Sequence, residues 1–264
     1  ETASISDAEE CGAIEPIVIR TEDEYNTYAG NTTLLKSTSL ERVVVSWADI
    51  TDTQLSKLLQ NKTSIHELVI EDCSQLTTMS PALDALVSVG SRLVLDNLAA
   101  VTSIELGALK TIGGGLTIQS CNKVETIEMP KLTAIEGGFS LSSAGSLTAL
   151  SMSLLVSVKE SLVIVACRSL PASSFVTGFE TLRTVGGTFQ IQAVSQRVDG
   201  ESDFVLSKLE TVGSLYLREM NSPVIALPRL TTIASRLTLV ILSKLHSFDV
   251  PSISKVGVSM EFNN

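Results

Sequence analysis

Few side chains in this sequence are of the types that do chemistry, and their spacing keeps most of them apart. Glu71 and Asp96 are followed by Gln119 at nearly the same interval, and Asp72, Asn97 and Ser120 repeat that spacing one position on. If the chain returns on itself at this interval, the two carboxylates lie about 5 Å apart, flanked by amides. Such a pair could hold calcium or act as the acids of a polysaccharide-cleaving enzyme; the plainer expectation is a solvated acidic face beside an Asn/Ser corner. The two histidines, His66 and His246, fall roughly 34 Å apart on the same reasoning, too far to share a metal or a triad. Cys73, Cys121 and Cys167 occupy one repeat position, shared with Leu98, Ala144, Val194, Met220 and Leu242, and so read as an interior column. Successive cysteines in it are about 9–10 Å apart, past the ~7 Å reach of a disulfide, and no better placed for a metal. Cys11 lies outside that column and could pair with Cys73 to close an N-terminal cap, or stay free. No cofactor or metal is expected.

The interval itself is the strongest signal. Leu86, Leu109, Leu132, Leu155, Leu182, Leu209, Leu230 and Ile253 are equivalent, at spacings of 23, 23, 23, 27, 27, 21 and 23 residues. Three positions after each anchor stands an Ile or Val, from Val89 and Ile112 to Val256. Apolar pairs follow at seven and nine, as in Leu93/Leu95, Leu116/Ile118, Phe189/Ile191 and Met260/Phe262, and Leu215/Leu217 joins them after a one-residue deletion. Further pairs sit at fifteen and eighteen, as in Val101/Ile104 and Leu245/Phe248. A period of this length means a stacked array. The alternating pair has the period of a strand, and the Gly-Gly steps near Gly113 and Gly186 mark corners between short extended sides.

These features predict a mainly β fold: a right-handed parallel β-helix, a leucine-rich-type solenoid with coils of about 23 residues. Ten coils at about 4.8 Å make a rod on the order of 45 Å. A single coil cannot hold itself closed, because some 23 ordered residues cost roughly 23–46 kcal/mol while its apolar anchors return on the order of 10–20. Caps are therefore expected. Thr51–Leu59 reads as a short N-terminal capping helix, with Thr51 or Asp52 as N-cap and Leu55, Leu58 and Leu59 on one face, and Val43–Val45 reads as a strand of an irregular first coil. The domain reading is 1–60 for this cap and first coil, and 61–264 for one continuous run of repeats, which stops inside a coil, as a chain cut before a stalk or anchor would, or with its last edge covered by another molecule.

The composition narrows the function. Hydrophobic residues make up 44% and charged ones 18%, which excludes a disordered chain. The net charge of −10 argues against nucleic acid and anionic membrane as partners, and no apolar run approaches the ~20 residues of a membrane span. The chain opens without Met, basic region or apolar core, as a product that has lost a signal peptide would. Asn31-Thr32-Thr33 and Asn61-Lys62-Thr63 are glycosylation sequons, whereas Asn221-Ser222-Pro223 fails at its third residue.

The repeat, carried by Leu109-Lys-Thr-Ile-Gly-Gly-Gly-Leu-Thr-Ile, Met129-Pro-Lys-Leu-Thr-Ala-Ile, Leu182-Arg-Thr-Val-Gly-Gly-Thr-Phe-Gln-Ile and Leu227-Pro-Arg-Leu-Thr-Thr-Ile, resembles the receptor L-domain of insulin- and EGF-receptor ectodomains over about residues 61–262. It is more similar still to the L-domain-like repeats of fungal GPI-anchored cell-wall proteins. BspA-like leucine-rich repeats share the period and the Cys121–Pro130 run, but usually place Ala-Phe where this chain has L-x-I. The resemblance implies right-handed coils, an extracellular glycoprotein, and binding or adhesion without catalysis; it also favours the Cys11–Cys73 pairing. Few cysteines and no Cys-rich module set the chain apart from hormone receptors.

The outward positions at eight and ten of each coil point to the binding face. Early coils are polar there, whereas Val163, Val165, Gln190, Gln192, Tyr216, Arg218 and Val240 mix aliphatic groups with Tyr and Arg, the composition of a contact patch. Ala193–Ser202, with Arg197-Val-Asp-Gly-Glu, adds a polar loop. The expected partner is a protein or glycan ligand at a cell surface, reached by a module displayed through a C-terminal anchor. The alternatives are a structural wall or coat protein associating through its edges, and a carbohydrate-active enzyme using Glu71 and Asp96.

Overall fold

The computed structural model describes residues 16–194, 202–257 and 259–263. Its core is a column of apolar side chains at strand positions that alternate inward and outward. Ile19, Val45, Ile70, Leu95, Ile118, Leu141, Ile164, Ile191, Leu217, Leu239 and Phe262 are register partners in turn, every pairing parallel. The result is a mainly β protein with a parallel sheet of 17 strands, an arrangement consistent with a β-solenoid. Two smaller parallel sheets of three strands each lie opposite in the chain's circuit: Ser103–Glu105, Thr126–Glu128 and Ala149–Ser151 form one, and Phe204–Val205, Val224–Ala226 and Ser247–Asp249 the other. All but the last inward residues are buried, and the core runs continuously from Ile17 to Leu242.

Segment 16–60 adds two rungs to the long sheet, Ile17–Ile19 and Ser39–Val45, and three helices. Helix α1 spans Glu22–Ala29, α2 Thr32–Lys36 and α3 Asp52–Leu59. The predicted capping helix is α3, and its N-cap is Thr51: the Thr51 side chain accepts from the Gln54 N–H while Gln54 returns a bond to the Thr51 N–H. Leu55, Leu58 and Leu59 are buried on its inner face. Helix α4, Ser174–Gly178, stands where a strand between the two small sheets would be. It uses residues that the long 155–182 repeat has to spare, and Gly178 is there because a Cβ would come within 2.5 Å of the Leu150 carbonyl oxygen. Phe175, Phe179, Phe189 and Phe204 fill the widened core, the Phe175 and Phe204 rings lying 5.2 Å apart.

The predicted glycine corner is present at Gly113-Gly114, a bend between Thr111–Ile112 and Leu116–Gln119, whereas Gly186-Gly187 lies inside the continuous strand Thr184–Val194. The left-handed turn that closes eight successive rungs falls on Asp72, Asn97, Ser120, Ser143, Ala166, Ala193, Glu219 and Ile241, all with φ between 50° and 60°. None is glycine. The Gly-Gly pairs serve close approach: a Cβ on Gly113 would lie 2.1 Å from the carbonyl oxygen of Gly90 on the preceding rung.

Candidate functional site: the outer face of the long sheet

The seven predicted contact residues come together. Val163, Gln190 and Tyr216 are register partners in one outward column, continued by Thr238; Val165, Gln192, Arg218 and Val240 form the next. The sheet supplies this placement, because alternation sends Ile164, Ile191, Leu217 and Leu239 into the core and these neighbours out. All seven are half-buried by their own neighbours. Within the patch, the Gln190 amide donates to the Gln192 carbonyl oxygen at 3.2 Å, and Arg218 Nε donates to Glu219 at 2.9 Å. The Tyr216 hydroxyl and then the Glu219 carboxylate push the Arg218 pKa still higher, so the guanidinium stays charged.

Beside Gln190 and Tyr216 the face opens into a groove of about 420 Å³, lined also by Thr188, Ser214, Leu215, Ser235, Arg236 and Thr238. Sequence reasoning missed these flanking residues, although the signal was present. The one-residue deletion before Leu215 becomes a register shift: Val185 pairs with Val212, but Thr188 pairs with Ser214. A bulge of this kind bends its strand and opens the surface locally. A larger hollow, about 570 Å³, lies between α3 and the segment Thr78–Pro81, but no aromatic side chain lines it.

The other chemical candidates are scattered or occupied. Asp96 does face the position of Glu71 in register, but its carboxylate accepts the Gln119 amide at 2.6 Å, and Asp72 accepts the Asn97 amide at 2.7 Å. These are inter-rung side-chain ladders. Among the described residues no cluster of three or more His, Cys, Asp or Glu could hold a metal. Cys73, Cys121 and Cys167 are fully buried, and burial pushes each thiol up to about 11. Cys11, and with it the Cys11–Cys73 pairing, lies outside the described residues, as does most of the Ala193–Ser202 loop.

Both sequons border α2. Asn31 is its N-cap, Oδ1 accepting from the Leu34 N–H at 3.0 Å, and is exposed. Asn61 is exposed too, but its Nδ2, the atom that would carry a glycan, donates to the Leu35 carbonyl at 2.9 Å. Between them in the second sequon, Lys62 is only 1% exposed.

The chain matches no protein-family model, no curated protein and no solved structure. Among the described residues no helix is long and apolar enough to cross a membrane.

Proposed function

We propose that this protein is a non-enzymatic binding or adhesion module at a cell surface, a right-handed β-helix of roughly 23-residue coils of the receptor L-domain type. The observation that carries this reading is the uncovered outer face, where Tyr216 and Arg218 adjoin Val163, Val165, Gln190, Gln192 and Val240 in two ordered columns. Tyr and Arg on a rigid sheet cost little entropy to present, and they dominate contact energies where proteins bind other molecules. Its ligand is a protein or glycan, and no nucleic acid, metal or cofactor enters the reading. Secretion with a glycan at Asn31, an exposed residue at a helix start, belongs to the same proposal, as does display through an anchor.

The test is direct. Tyr216→Ala with Arg218→Glu should abolish binding of the labelled protein to intact cells while its circular dichroism and melting temperature stay within the wild-type range. Undiminished binding by that folded variant would remove this face from the account.

A further inference from the structure

The geometry points to the groove beside Tyr216 as a saccharide-binding site, a reading that rests on the surface-binding proposal and names the chemistry of its ligand. Of the side chains that line the groove, all but Leu215 end in a hydroxyl, an amide or a guanidinium, and Leu215 is itself fully buried. A protein-binding groove would offer apolar pockets for anchor side chains; this one offers hydrogen-bond donors and acceptors in two columns, Thr188, Ser214 and Arg236 beside Gln190 and Tyr216, over a buried Thr238. Spacing of about 4.8 Å between rungs suits alternate, not adjacent, equatorial hydroxyls of a pyranose ring.

Tyr216 supplies the second element. An aromatic body with a polar tip gives a sugar ring one apolar surface to lie on while its edge hydroxyls remain bonded. The volume, about 420 Å³, is within the roughly 300–1,000 Å³ of small-ligand sites.

Charge supplies the third. On a chain of net charge −10, no carboxylate lines this groove and its single charged group is Arg236. Arg236 makes no ion pair with any of the described residues. The groove therefore accepts neutral sugars through its hydroxyls and amide, and acidic sugars through Arg236 as well. Without a pair of carboxylates it holds a glycosidic bond without the means to hydrolyse it.

Isothermal titration of the full chain with neutral β-glucan and chitin oligosaccharides, and with an oligogalacturonate, tests the inference. Binding of at least one is expected, weakened about tenfold or more by Tyr216→Ala and much less by Tyr216→Phe, which keeps the ring if the alanine variant folds poorly. Arg236→Gln should weaken only the acidic ligand, by about tenfold. No heat with any of these sugars, or heat indifferent to Tyr216→Ala, overturns the saccharide site. If sugars fail while Tyr216→Ala with Arg218→Glu still abolishes cell binding, the surface face stands and its occupant is a protein. If the double variant still binds cells, the surface proposal itself has failed.

Discussion

Single residues carry most of the local strain and most of the polar satisfaction in this molecule. Lys62 is the clearest case: its ammonium donates to the carbonyls of Leu34 at 2.8 Å, Leu35 at 3.0 Å and Ser37 at 2.6 Å, closing the end of α2. Burial lowers its pKa, while three carbonyl acceptors match its three N–H groups. Lys62→Met should cost about 2 kcal/mol in urea unfolding, because the Ser37 carbonyl would lose its donor while those of Leu34 and Leu35 keep only the Ser37 N–H and the Asn61 amide. The left-handed column suggests the opposite kind of change. Asp72 and Asn97 tolerate that conformation, but Ile241, with φ 52°, is β-branched and 45% exposed, so it pays the strain with little packing in return. Ile241→Gly is expected to stabilise by about 1 kcal/mol, read as a higher urea midpoint. The buried thiols of Cys121 and Cys167 make stability fall at alkaline pH. Below about pH 9 folded and unfolded thiols are both protonated; between about 9 and 11 only the unfolded ones ionise, so unfolding releases protons and stability drops, levelling off above about 11. Each contributes roughly 2–3 kcal/mol to that loss, and Cys121→Ala should flatten the decline between pH 8 and 11.

At the scale of elements, the long sheet needs its ends and interruptions secured. Asp52, in the first turn of α3, accepts from the Thr77 N–H at 2.8 Å, the Thr77 hydroxyl at 2.5 Å and the Thr78 N–H at 3.3 Å. It thus bolts the capping helix to the following rung. Asp52→Ala should cost about 1.5–3 kcal/mol and speed proteolysis within the first 60 residues before the later rungs are touched. Helix α3 was legible in the sequence because Thr51, Gln54 and three leucines mark a start and a face. Helix α4 was not, since five residues hold too little of a 3.6-residue period, and its marks, Pro171 before and Gly178 at its end, also suit a strand corner. The glycine pairs mark a corner at Gly113 but not at Gly186 for a physical reason: sequence shows that a side chain is forbidden, not whether a bend or only a neighbouring carbonyl forbids it.

For the whole molecule, repetition made the fold readable and the function nearly silent. Inward columns must be apolar in every rung, so anchors such as Leu109, Leu132 and Leu155 repeat, and their spacing alone gives the register seen in the long sheet. Outward positions carry no such constraint. Val163, Tyr216 and Arg218 could be singled out by type, but Thr188, Ser214 and Arg236 line a groove beside a one-residue register shift, which the sequence signals only as a deletion before Leu215 and not through their identities. The proposed function therefore turns on which outer surface meets a ligand. Hydroxyl-radical footprinting of the full chain, free and bound to intact cells, measures this in one experiment, with Tyr216 reporting on the sheet face and the exposed Met260 and Phe262 on the last rung. Protection of Tyr216 with Met260 and Phe262 still oxidised is the predicted result; protection of Met260 and Phe262 with Tyr216 unchanged would contradict it.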